Sequence, residues 1–153
     1  MSEKVEQTIR SKLGKMIQKL DVHGPRRLYV DVASEHLVEA ARCLFSDLGA
    51  RYAIASGMQT GEGFEVLHHF AFDADHVLVS LRVRTTGEEP EVPSLTPLIK
   101  GAGFIEREMH DLLGIKFRGH PNLERLILPE DWPEGVYPLR RGKPWEGKVK
   151  KQV

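Results

Sequence analysis

Glu106, Arg107, Glu108, His110 and Asp111 fall within six consecutive positions, the densest set of titratable side chains in the chain. If the stretch is helical, Glu106 and His110 stand one turn apart and form a possible metal-ligand pair. The sequence has no HExxH, and Arg107 occupies the position three before His110, so neither the zinc-protease nor the di-iron spacing is met. Paired carboxylates also suit acid and base work, which would make Glu106, Glu108 or His110 the actors of a hydrolase. Spacing alone favours a plainer arrangement, a solvated helix face on which Arg107 and Asp111 pair four residues apart.

The remaining reactive types are scattered. His68 and His69 are neighbours in a β-rich run, so they point to opposite faces and cannot share an ion; half-exposed strand histidines are expected. His120, before Pro121, has no obvious co-ligand. Gly101 and Gly103 open the helical stretch, but no third glycine and no Lys-Ser/Thr pair follow, so a phosphate cradle is not indicated. Cys43 sits among Leu44 and Phe45 and reads as inert. No GxSxG is present. From the residues alone, a binding or scaffold protein is favoured over an enzyme.

The elements that position these residues follow from hydrophobic period. Val5, Ile9, Leu13, Met16, Ile17 and Leu20 form one helical stripe, ended by Gly24 and Pro25. Arg26 to Val32 alternates as a strand, with Tyr29 and Asp31 on the face opposite Leu28, Val30 and Val32. Ser34 is placed to cap a second helix, which runs to Leu48 and closes on Gly49. Arg51 to Ser56 is a short strand followed by a glycine-marked loop, and Phe64–Phe72 and His76–Thr85 form a hairpin. Thr86 to Leu95 is an acidic, proline-broken loop, and Phe104–Leu113 is a helix stopped by Gly114. Prolines at 121, 129, 133, 138 and 144 then forbid regular structure over most of the remainder. That segment is nonetheless rich in apolar residues, among them Trp132, Tyr137 and Trp145, and should lie along a surface, its own or a partner's.

The expected fold is therefore α+β: a two-layer domain over residues 1–117, with helices packed on a mixed, mainly antiparallel sheet in the order α-β-α-β-β-β-α. An extended proline-rich segment, 118–153, follows it. A length of 153 residues suits one domain. One cysteine excludes an internal disulfide and any iron–sulfur cluster held by this chain alone. With 22 basic and 22 acidic residues, a globally basic nucleic-acid binder is excluded. Neutrality is not uniform: Met1–Thr85 carries 11 of each sign, Thr86–Leu139 carries 5 basic and 10 acidic, and Arg140–Val153 carries 6 and 1. No window approaches the roughly 20 apolar residues of a membrane span, and the N-terminus lacks the apolar core of a signal peptide, so a cytoplasmic location is expected.

The stretch Phe104 to Arg141 resembles the 30 kDa subunit family of respiratory complex I, the proton-pumping NADH:quinone oxidoreductase. The residues that carry the resemblance are Glu106, Arg107, Glu108, Asp111, Leu112, Leu113 and His120, then Pro121, Leu123, Arg125 and the run LILPEDW. Upstream, FEVLHHF (Phe64 to Phe70) and PEVPSLTPL (Pro90 to Leu98) are similar to that family's strand and acidic loop. The run DWPEGVYPLR also resembles the homologous subunit of energy-converting NiFe hydrogenases and of formate hydrogenlyase. The resemblance implies a subunit that binds no cofactor, docked in the hydrophilic arm on a 49 kDa-like hydrogenase large-subunit homologue, near a 20 kDa-like cluster-bearing partner. Membrane contact would come only through the complex. Glu106, Arg107, Glu108, Asp111, His120, Pro121, Arg125, Trp132, Tyr137, Arg140 and Arg141 would form the signature and the interface. A less favoured reading is a stand-alone binding module acting through Lys148, Lys150 and Lys151.

Overall fold

A computed structural model describes residues 2–142; the expectations for Trp145 and the terminal lysines lie outside the described residues. The chain runs α1 (Ser2–Leu13), β1 (Ile17–Val22), β2 (Arg27–Val32), α2 (Leu37–Arg42), β3 (Arg51–Gln59), β4 (Phe64–Phe72), β5 (Val77–Thr85), β6 (Glu91–Pro93), α3 (Ala102–Leu113) and β7 (Lys116–Arg118). Five strands make one sheet in the order β1-β2-β5-β4-β3, antiparallel except for the parallel β2–β5 pair. The α+β class and the mainly antiparallel sheet are as expected. β1, β6 and β7 add to the expected order.

Each added strand has a physical cause. The stripe through Leu20 does not continue as helix: Gly14 takes a left-handed φ of 49°, and Ile17–Val22 pairs antiparallel with β2. Val5, Ile9 and Leu13 stay buried, so the helical period ends at Leu13. β6 lies in the loop expected at Thr86–Leu95 and pairs in parallel with β7, three residues each. Such short strands leave no period to read. β3 extends three residues beyond Ser56, because Gly57 is a strand residue instead of the start of a loop. A side chain there would meet Sδ of Met109 at 2.8 Å, so glycine lets α3 settle onto the edge strand. Ser34 makes no side-chain cap, and α2 passes at Cys43–Asp47 into a π-turn before Gly49 closes it at φ 67°.

The helices and the inward side chains of the sheet share one core, in which Ile9, Leu28, Leu37, Leu44, Phe70 and Leu81 are fully buried. His68 belongs to it. It is wholly buried instead of half-exposed, its Nδ1 is 3.1 Å from the Tyr52 hydroxyl, and burial pushes its pKa down to about 3. His69 takes the opposite face, as alternation requires, between Ser56 Oγ and Ser80 Oγ at 2.7 Å each.

That opposite face carries Asp31, only 3% exposed between Arg82 Nε at 2.7 Å and Arg84 Nη1 at 2.6 Å. Burial alone would raise its pKa, but the two guanidiniums outweigh burial and hold it below the ordinary value. A depressed carboxyl stabilises the fold above its unfolded pKa and loses that contribution as pH falls through the folded one. Asp31→Asn is therefore expected to cost about 2 kcal/mol near neutral pH. Denaturant titration should show the gap from wild type closing in acid; a gap independent of pH would contradict the assignment.

Candidate functional site

The signature residues converge on α3 and on the strap, residues 119–142, that runs back along it. α3 begins after Gly101 and ends at Gly114, whose φ is 71°. Glycine is required there twice over, since a side chain would meet the Tyr137 ring at 2.5 Å and Arg140 Nη2 at 2.6 Å.

Glu106 does not sit on a solvated face. It is fully buried, its Oε1 accepts from the Leu95 N–H at 2.6 Å, and its Oε2 accepts from Ser94 Oγ at 2.5 Å and Thr96 Oγ1 at 2.8 Å. Burial raises its pKa, partly offset by those three donors. The helix thus ties down the loop after β6 from inside the protein. His110 does not touch it; His110 Nδ1 is 2.9 Å from the Ile115 carbonyl. His120 does approach, with Nε2 at 4.0 Å from Oε2. Its Nε2 faces the Gly103 carbonyl at 3.1 Å and its Nδ1 accepts the Asn122 N–H, which assigns the neutral tautomer with hydrogen on Nε2.

Arg107 and Asp111 do not pair along the helix either. Both reach the strap. Arg107 donates to the carbonyls of Glu124 at 2.9 Å and Arg125 at 2.7 Å. Asp111 Oδ2 accepts the successive amides of Leu126, Ile127 and Leu128 at 2.8, 2.8 and 3.2 Å. Burial opposes ionisation of Asp111, but the three amides outweigh it and hold its pKa below the ordinary carboxylate value. A helix side chain here satisfies the backbone groups of an irregular segment, as a strand ladder does elsewhere.

The strap braces itself in turn. Arg125 Nη1 donates to the carbonyls of Pro129, Glu130 and Trp132, and the Trp132 indole N–H donates to the Val136 carbonyl at 2.9 Å. Arg140 stacks over Tyr137 at 4.5 Å and Phe64 at 5.0 Å while donating to the Leu113 and Glu88 carbonyls. The Arg141 N–H reaches Gln59 Oε1 at 2.6 Å. A cavity of about 310 Å³ remains between helix and strap, lined in part by His110, Asp111, Leu123, Arg125 and Tyr137. Pro121 is exposed, and the half-exposed Glu108 side chain has no hydrogen bond or ion pair among the described residues.

Of the signature set, Glu106, Arg107, Asp111, His120, Arg125, Trp132, Tyr137, Arg140 and Arg141 are joined into one helix-and-strap unit. Sequence reasoning missed Ser94, Thr96 and the Leu95 amide, the donors around Glu106. The VPS run was visible, but nothing local assigns it to a carboxylate on the following helix. Among the described residues no group of three or more His, Cys, Asp or Glu side chains converges as a metal site.

The helix and strap fall within a stretch that matches a known family. The model of the family described as respiratory-chain NADH dehydrogenase, 30 Kd subunit, aligns with residues 30–149. The chain belongs to that family. The C-subunit of NADH-quinone oxidoreductase from Roseiflexus castenholzii is 40% identical over 123 residues, which cover 76% of this chain and 70% of that protein. Formate hydrogenlyase subunit 5 of Escherichia coli is 43% identical over 63 residues, 41% of this chain and only 11% of that protein. A trypsin-resistant fragment of Nqo5, residues 1–134, superposes with a TM-score of 0.60 at 27% identity, covering 80% of this chain and 98% of the fragment. No helix among the described residues of this family member is long and apolar enough to cross a membrane.

Proposed function

We propose that this family member is a structural, cofactor-free subunit of a membrane-associated NADH:quinone oxidoreductase. In this reading residues 118–153 and the outer side of α3 form the surface that docks on the hydrogenase large-subunit homologue, near the cluster-bearing partner. The protein then sits peripherally on the cytoplasmic face, attached through its partners. One observation carries the reading. Of eight large apolar side chains left exposed among the described residues, Phe104 (67%), Leu126, Ile127 (54%) and Leu139 (57%) belong to α3 and the strap. The backbone beneath them is held by Arg107, Asp111, Arg125 and Arg140, so the anchors are presented without an ordering cost at binding. Glu108 stands on the same helix, its carboxylate unpaired among the described residues.

In the Escherichia coli relative the matched unit is a small part of a much longer chain. That supports a large permanent neighbour, and it also favours a second reading, the equivalent subunit of a hydrogenase or formate hydrogenlyase complex. Co-expression of the full chain with the large-subunit homologue is the test. Phe104→Glu with Ile127→Glu should reduce co-purification by about tenfold or more, the effect of losing two interface anchors. The isolated variant should melt as wild type does. Undiminished co-purification would remove this surface from the interface. Whether the purified complex oxidises NADH or evolves hydrogen separates the two readings.

A further inference from the structure

We propose that the sheet end where β2 and β5 begin and β4 ends is a binding cleft for a phosphate group, with Arg26, Arg27 and His76 as its donors. The cleft is shallow and open to solvent, with a volume of about 290 Å³, and is lined by these three residues together with Phe72, Asp73 and Leu78. It lies on different elements from α3 and the strap, and it does not rest on the docking reading.

The parallel register of β2 and β5 builds the cleft. Arg27 stands opposite Leu78, the Leu78 N–H donates to the Arg26 carbonyl at 2.8 Å, and the His23 N–H donates to the Arg27 carbonyl at 2.8 Å. The backbone that carries both guanidiniums is therefore fixed. His76 closes the β4–β5 connection with φ 53°, the only left-handed residue other than glycine among those described. Such a backbone persists only where its surroundings demand it.

Charge separates this cleft from an ordinary solvated surface. Its one acid, Asp73, is held in a two-pronged pair by Arg51 at 2.8 and 2.9 Å, and neighbouring Asp75 faces Lys4 at 3.8 Å. The side chains of Arg26, Arg27 and His76 have no hydrogen bond or ion pair among the described residues. Elsewhere Arg82, Arg84, Arg107, Arg125 and Arg140 are each committed to acids or carbonyls. Counting Arg26, Arg27 and Arg51 against Asp73 leaves a surplus of two positive charges before His76 is considered. Arg26 and Arg27, both lining the cleft, bring guanidiniums whose forked donors match the oxygens of a phosphate, and the His76 imidazole adds a further donor. The phosphate could be free or part of a phospholipid headgroup.

The full chain decides between these sources. Calorimetric titration with inorganic phosphate and pyrophosphate reads the free anion. Flotation with equimolar phosphatidylglycerol and phosphatidylcholine vesicles, against phosphatidylcholine alone, reads the headgroup. Either signal should fall by about tenfold or more in Arg26→Gln with Arg27→Gln, the loss of two charge-assisted contacts. A control that removes the same charge elsewhere, Lys15→Gln with Arg42→Gln, should leave it unchanged. Saturable binding of the anions supports the cleft with a free ligand; binding only to the acidic vesicles, with the same variant dependence, supports it with a headgroup. No binding in either assay, or equal loss in both double variants, overturns the proposal. The substituted side chains are exposed, so an unchanged melting curve shows that the fold is intact.

Discussion

Glu106→Ala is expected to lower the unfolding free energy by about 4 kcal/mol, because it strands buried donors and opens a cavity at once. In a chain of this length that corresponds to a melting temperature lower by roughly 10 °C. The Leu95 amide and the Ser94 and Thr96 hydroxyls all lose their buried acceptor. Glu106→Gln should cost only about 1 kcal/mol, since the amide carbonyl can accept from Leu95 while its NH2 donates to the two hydroxyl oxygens. The pH dependence follows from the raised pKa. Below the unfolded carboxyl's pKa both states hold the proton and the contribution is complete; as pH rises past it, the unfolded chain releases the proton while the native one retains it, and stability declines until the native pKa is passed. Subtracting the Glu106→Gln curve isolates this slope from the opposite slopes of Asp31 and Asp111. Guanidinium unfolding across a pH series reads it. A flat difference, or an alanine variant as stable as the glutamine one, would show that Glu106 does not hold the loop after β6.

Asp111→Ala should act on the strap more than on the core. Removing one carboxylate oxygen deprives the Leu126, Ile127 and Leu128 amides of their acceptor, a loss of about 3 kcal/mol for the strap's own opening equilibrium. Hydrogen exchange at those amides should accelerate by roughly a hundredfold, and proteases should cut within residues 119–142 well before the sheet melts. Because the strap presents the apolar anchors, capture of the large-subunit homologue should weaken in parallel. Asp111→Asn retains an acceptor oxygen without the charge and should fall between the two. The depressed pKa of Asp111 adds a sign: the strap's protection is present above the ordinary carboxylate range and is lost as pH falls through the native value. Amides that keep their protection in the alanine variant would mean that Arg107 and Arg140 hold the strap without Asp111.

Both predictions concern residues whose types are plain in the sequence but whose partners are not. Glu106, Arg107 and Asp111 are spaced as a charged helix surface would be, and local pairing is the simplest outcome of that spacing. It fails because all three are used across distance: Glu106 toward residues 94–96, Arg107 toward 124 and 125, and Asp111 toward 126–128. Their partners are mostly backbone groups, which every residue carries and no motif marks. The His68–His69 separation was legible because a two-residue period leaves adjacent side chains no choice of face. How deeply His68 is buried was not, since burial depends on which layer covers each face.

Period, glycine placement and proline content by themselves determined α1 as far as Leu13, the β2 strand, the β4–β5 hairpin, the end of α3 at Gly114 and the irregularity of residues 119–142. These are local properties: steric limits on φ, loss of an amide donor, and the alternation of side chains along one element. Tertiary structure alone decided that Ile17–Val22 leaves the helix to pair with β2, that Glu91–Pro93 finds Lys116–Arg118, and that the strap returns to its own helix. Each of these joins groups far apart in sequence through backbone hydrogen bonds. Their gain exists only once the chain has closed the intervening loop, so no short window of residues records it.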